Sequence, residues 1–153
     1  MSLLISKCEY EIGDLIIALI EAHNPDGWSP ISDPNTIGVL AQASPTKLIS
    51  GLTGTSTTSQ IILSWNFIKI DEYDIGYSTL TGYQIQWDSG LGTSTFTNQS
   101  FTASLTQTIA ATSGLTYKIK VAPVNIHGVG PYSSEFTIIA AEKASDVLSP
   151  VVS

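Results

Sequence analysis

Asp71, Glu72 and Asp74 place three carboxylates within four residues, in a segment that reads KIDEYDIGYSTL and also carries Tyr73 and Tyr77. Oxygen ligands at that density suit calcium, but the invariant glycine and the twelfth-position glutamate of an EF-hand loop are missing. The segment therefore reads as a solvated loop, and no metal ligand is assigned. Tyr73 and Tyr77, with Phe67, Ile68 and Ile75 nearby, give the loop more apolar surface than an idle one carries. Such aromatics meet partner proteins or sugars, or fold back to cap the domain. His23 and His127 have no cysteine or serine beside them in a nucleophilic arrangement, and His127 is expected as an exposed contact residue in a turn. Cys8 is the only cysteine, which excludes an internal disulfide and a thiolate metal cluster. With no carboxylate pair, nucleophile triad or metal set in view, the sequence points away from an enzyme and implies no catalytic residue and no cofactor.

One further motif carries chemistry: Asn98-Gln99-Ser100 is an N-glycosylation sequon, expected between two strands where a glycan could project into water. The charge pattern narrows the partners. All six basic residues are lysines, so the bidentate fork that reads phosphate and guanine is absent, and the net charge of -7 repels polyanions. Nucleic acid is not an expected partner. The apolar run LIIALI is too short to span a bilayer, and Lys7, Glu9, Glu11 and Asp14 break up the first residues, so neither membrane insertion nor a secretory signal is expected within this segment.

The elements that would position these residues come from a repeat. Asn24 to Ser32 reads NPDGWSPIS, and 101 residues later Asn125 to Ser133 reads NIHGVGPYS. Over the 32 positions from Gly13 to Ser44, nine match Gly114 to Ser145 without gaps, where roughly two are expected by composition. A period near 100 residues fits a whole small domain rather than a solenoid unit. Serine and threonine supply 37 residues in strand-like and turn-like contexts, which favours β-structure. After Pro45 the segments QIILSW, GYQIQW, STFT, SLTQTIA, TYKIKVAPV and EFTIIA read as short strands. Strands at that spacing with no intervening amphipathic helix predict an all-β antiparallel sandwich. Alternation places Trp65, Tyr83, Ile85, Tyr117, Ile119 and Val121 in the core, with Lys118 and Lys120 facing out.

At these residues the chain resembles the fibronectin type III family from about Ser44 to Ala141. Trp65 ends the second strand in ILSW, LTGYQIQW matches the third, and a Gly-Leu-Thr-Tyr turn introduces the sixth. NIHGVGPYS closes the last hairpin. The resemblance implies an immunoglobulin-like sandwich in which Tyr117 forms the tyrosine corner. Ala111, usually leucine, and the long link Asn66 to Thr81 depart from the pattern.

The same comparison divides the chain into residues 1–42, the C-terminal strands of a preceding sandwich; 43–141, a complete one; and 142–153, a linker or the start of a next. In the first copy, residues 3–12, Leu15 to His23 and Thr36 to Gln42 align with the fifth, sixth and seventh strands. There Ile16 replaces the corner tyrosine, and Leu15, Ile17 and Leu19 form an apolar outward face that implies an interface. The expected function is a non-enzymatic structural and adhesive module of an extracellular or cell-surface repeat protein. It would work through spacing and contact with neighbouring domains or protomers. Two alternatives stand: a subunit of a fibre completed by strand addition from a neighbour, and a protein- or glycan-binding accessory domain of a larger enzyme.

Overall fold

The computed structural model describes residues 10–68 and 71–141. Cys8, the expected fifth strand of the first copy up to residue 9, and the expected linker 142–153 lie outside the described residues. The strands run β1 (His23–Asn24), β2 (Gly27–Trp28), β3 (Thr53–Ser56), β4 (Gln60–Ser64), β5 (Leu80–Trp87), β6 (Thr97–Thr102), β7 (Thr106–Ala110), β8 (Thr116–Asn125), β9 (Gly128–Val129) and β10 (Phe136–Ile139). Among the described residues there is no helix, and every strand pairing is antiparallel.

From β3 onward the strands form two sheets. One has the order β3-β4-β7; the other has the order β10-β8-β5-β6, with β9 also paired to β8. The sandwich follows from alternation. Ile61 and Leu63 on β4 point inward while Ile62 between them is exposed, and Ile109 on β7 joins them. From the other sheet come Tyr83, Ile85, Tyr117, Ile119 and Val121, so the two inner faces close one core with Trp65 and Ile68 at its end. Burying each large aliphatic side chain contributes about 1.5–3 kcal/mol, which offsets the entropy of ordering the strands. On the opposite face of β8, Lys118 and Lys120 keep their amines near Glu135, at 3.8 and 3.9 Å, and Lys120 Nζ lies 4.1 Å from the centroid of Phe96.

Tyr117, the second residue of β8, reaches back over the turn between β7 and β8. Its hydroxyl accepts a hydrogen bond from the Thr112 amide at 2.8 Å, and its ring stacks on Trp87 with centroids 5.5 Å apart. Ala111 still packs against the core. One strand expectation is corrected and another is filled in. STFT is mostly loop, and the strand there is β6, which begins at Thr97; the first strand, implied by Trp65 ending the second but not placed, is β3 in GLTGTS. Both are polar edge strands without the apolar alternation by which strands are recognised in sequence. The shift of β6 also moves Asn98 from a presumed connection onto a strand, opposite Gln86 beside a register shift that leaves Gln99 of β6 unmatched on β5.

The first copy is a two-stranded ribbon. Its hydrogen bonds reproduce those of the last hairpin of the sandwich. Ile20 and Ser32 bond as Val121 and Ser133 do, with the amide of each strand residue donating to the serine Oγ and each serine amide donating back to the carbonyl. Ser29 N to Ala22 O, 2.8 Å, matches Gly130 N to Pro123 O, 2.8 Å. The turn repeats as well: Asn24 Oδ1 accepts from Asp26 N as Asn125 Oδ1 accepts from His127 N, and Gly27 and Gly128 both take positive φ, 135° and 145°. Sequence equivalence breaks down at the far end. Leu15 bridges Leu40, whereas Thr116 pairs with Ile139, a slip of two residues. Asn35 accounts for it, because its side chain takes a backbone's place, accepting from Ala18 N at 2.6 Å and donating to Ile16 O at 3.0 Å and Ile37 O at 3.1 Å.

The corner and the core set the stability of the sandwich. Tyr117→Phe should cost about 1 kcal/mol through loss of one hydrogen bond, and Ile119→Ala about 2–5 kcal/mol through a core cavity. Urea unfolding followed by core tryptophan fluorescence measures both. Alkaline pH should also weaken the fold. Burial raises the Tyr83 and Tyr132 hydroxyls above their ordinary value of 10.0, and the hydrogen bond to Asp74 raises Lys47 above 10.5. A group held more tightly protonated in the folded state contributes fully below its unfolded pKa and loses that contribution as pH rises through the folded value. These three groups therefore leave the unfolding midpoint unchanged near neutrality and lower it above about pH 10.

Candidate functional site: a clamped junction and a bare ribbon

Two features distinguish the molecule: the junction where the first copy meets the second, and the bare faces of the first copy. The linker runs through Gln42 to Lys47 between two loops, the long link after Trp65 and the β8–β9 turn. Carbonyl groups of the long link hold it: Ala43 N donates to Gly76 O at 3.0 Å, Thr46 N to Asp74 O at 3.0 Å, and Thr46 Oγ1 to Tyr73 O at 3.1 Å. Lys47 forms an ion pair with Asp74. From the other side Asn125, only 4% exposed, donates through Nδ2 to Ala43 O at 2.7 Å and to Ile75 O at 3.0 Å. One side-chain amide thus ties linker, long loop and turn together. His127 adds a bond between Nε2 and Gln42 Oε1 at 2.9 Å.

The long loop is shaped for this task. Asp74 N bonds to Asp71 O, Gly76 N to Tyr73 O and Tyr77 N to Glu72 O, which winds residues 71–77 into consecutive turns. Gly76 must be glycine: its φ is 70°, and a Cβ there would stand 2.2 Å from Ala43 O. Tyr77 also has positive φ, 52°, and its ring lies over Gly13, so close that a Cβ on Gly13 would meet the ring at 2.5 Å. A tyrosine held in that backbone region is strained by about 1–3 kcal/mol, which the surrounding contacts must offset.

The contact candidates therefore divide. Tyr77 and His127 face the linker and first copy, while Tyr73 offers its carbonyl to Thr46 and leaves its ring exposed. Asp74 is engaged by Lys47, and among the described residues no group of three or more histidine, cysteine, aspartate or glutamate side chains could hold a metal. Ile68 belongs to the core and Phe67 is exposed. Sequence reading missed Asn125 as the centre of the junction, although its position in the repeat was visible. It also missed Asp88, a buried carboxylate at the end of β5 whose Oδ1 accepts from Gly90 N and Lys118 N, both at 3.0 Å.

Of the interface candidates, Leu15 is half-buried and bridges Leu40, while Ile17 and Leu19 are exposed. The opposite face of the ribbon is equally bare. Ile20 is 71% exposed where Val121 is fully buried, and Ile37 is 84% exposed.

No family model matches this sequence, and no curated protein matches it. Solved structures do. A crystal structure of consecutive titin domains is similar at 16% identity and TM-score 0.60, over 73% of this chain and 37% of that one. The crystal structure of the chicken CNTN1 FN1–FN3 domains is similar at 20% identity and TM-score 0.54, over 82% and 42%. The solution structure of the sixth fibronectin type III domain of a human fibronectin type III domain-containing protein matches at 16% and TM-score 0.52, over 70% and 96%. The present chain spans about two fifths of the length of the titin and CNTN1 structures. At these identities the likeness is one of fold, and the fold is fibronectin type III-like.

Asn125→Ala should leave the Ala43 and Ile75 carbonyls and the His127 amide without their partner. The expected cost is about 1–3 kcal/mol by urea unfolding. Asn24→Ala, which removes only turn bonds, should cost less.

Proposed function

We propose that this chain is a non-enzymatic structural and adhesive module of a longer extracellular or cell-surface repeat protein. It acts by setting the spacing and orientation of successive units and by offering loops and edges to neighbouring domains or protomers. The observation that carries this reading is the junction: a short linker bonded from both sides by the long loop and by Asn125, with Tyr77 seated on Gly13. A junction tied at several points transmits orientation, which a flexible tether does not. The multidomain structures that share the fold are compatible with an array, and among the described residues no helix is long and apolar enough to cross a membrane. Tyr73 and Phe67 remain exposed beside the junction as contact residues for a protein or glycan.

Asn98 fits an extracellular setting. It is exposed on edge strand β6, its Oδ1 accepts from Gln86 Nε2 at 2.9 Å, and its Nδ2, the atom a glycan would take, donates to no group among the described residues. Made through a eukaryotic secretory route, the protein should lose mass on enzymatic glycan removal; an unchanged mass contradicts a glycoprotein.

Orientation is tested by residual dipolar couplings. Amides of residues 13–42 and of the sandwich should fit one alignment tensor, and Asn125→Ala should separate them. Two independent tensors in the unmodified protein would overturn the spacing role.

A further inference from the structure

The ribbon of residues 13–42 has two unfilled surfaces at right angles to each other. The first is an edge. Ile16, Ile20 and Ala22 donate their amides across the ribbon, to Val39 O, Ser32 Oγ and Ser29 Oγ, and Ala18 donates to Asn35 Oδ1. Strand alternation turns the amides of Ile17, Leu19 and Glu21 to the other side, where they have no partner among the described residues. In the complete sandwich that side of β8 is paired along β5, Lys120 opposite Gln86 and Ala122 opposite Gln84.

The second is a face. Ile16, Ala18 and Ile20 are the counterparts of Tyr117, Ile119 and Val121, which lie in the core. With the two-residue slip, Ile37 and Val39 stand where Phe136 and Ile138 pack against it. In the ribbon these positions are exposed, Val39 by 70%. A two-stranded ribbon is marginal in water, so a face of this composition requires a cover.

We infer that the ribbon is the docking surface for the remaining strands of a fibronectin type III unit, carried N-terminal to the ribbon in the same polypeptide. One of them pairs antiparallel with Leu15 to His23 as β5 pairs with β8, and a three-stranded sheet lies over Ile16, Ile20, Ile37 and Val39 as β3, β4 and β7 lie over the core. This rests on the repeat-array reading above and specifies what the array places there. Such a unit fills both surfaces. An added single strand pairs the edge and leaves the face wet, and a docked helix covers the face and leaves the edge amides without partners. A second copy of this chain has its own five strands closed by its own last hairpin, which is held at high effective concentration by its covalent link. The cover is also not identical to this chain's own strands. Ala18 in place of Ile119 and Ile16 in place of Tyr117 leave space at the centre of the face, so the covering unit carries bulkier residues opposite Ala18.

The test places residues 43–111 of this protein upstream of residue 10 in the full chain, in two versions. One keeps the ribbon as it is; the other carries Ile16→Tyr and Ala18→Ile, which give the ribbon the central face of the second copy. Hydrogen exchange at Ile17, Leu19 and Glu21 is compared with the unextended chain. The account expects slowing by about 100-fold in the substituted version and by a smaller factor in the unsubstituted one. Unchanged exchange in both versions would overturn the inference. So would a concentration-dependent dimer of the unextended chain in which these amides are already slow, because the cover would then be a second copy. Loss of a common alignment tensor across the junction would defeat the spacing role without changing any of these exchange rates.

Discussion

A β-ribbon has two faces and no interior, and that constraint governs this molecule. Hydrogen bonds can set the register of two strands, but they exchange protein partners for water at modest net gain, so lasting order comes from what lies over the face. The chain contains the same ribbon twice with nearly the same bonds. Val121 and Ile20 each donate to a serine Oγ twelve residues on, yet one lies under a second sheet and the other faces water. The difference in burial owes nothing to the ribbon's own hydrogen bonding.

The junction shows how the bare ribbon is nevertheless held in place. Asn125 occupies a repeat position whose counterpart, Asn24, bonds only within its own turn. In the second copy the amide that would otherwise face solvent reaches the linker and the long loop. Like Asn24, it shapes its turn; unlike Asn24, it also bonds to the linker and the long loop. The length of the loop after Trp65, which departs from the family pattern, is what allows residues 71–77 to reach over the linker.

The phase of β8 was readable because lysines alternate with apolar residues, and burying those amines would be costly. Trp65, Tyr83 and Ile85 were readable for the same reason of alternation, and the repeat placed the final hairpin. Where the sequence was silent, the cause is physical. β6 reads TNQSFT, polar at nearly every position, because an edge strand with one weakly covered face needs no apolar alternation. The slip in the first ribbon depends on Asn35 replacing backbone with side chain, which no periodicity reports. Asn125 was visible as a turn residue, but its bonds to Ala43 and Ile75 join parts of the chain 82 and 50 residues away.

The claim that cover rather than hydrogen bonding sets the stability of each ribbon is tested most directly by native-state hydrogen exchange at two amides, Val121 and Ile20, in the unmodified protein. Their bonds are alike, at 3.1 and 3.0 Å. The account predicts that Val121 exchanges only through unfolding of the whole sandwich and tracks its global stability in denaturant. Ile20 should exchange through local opening and be nearly insensitive to denaturant. Equal protection at the two amides would contradict it.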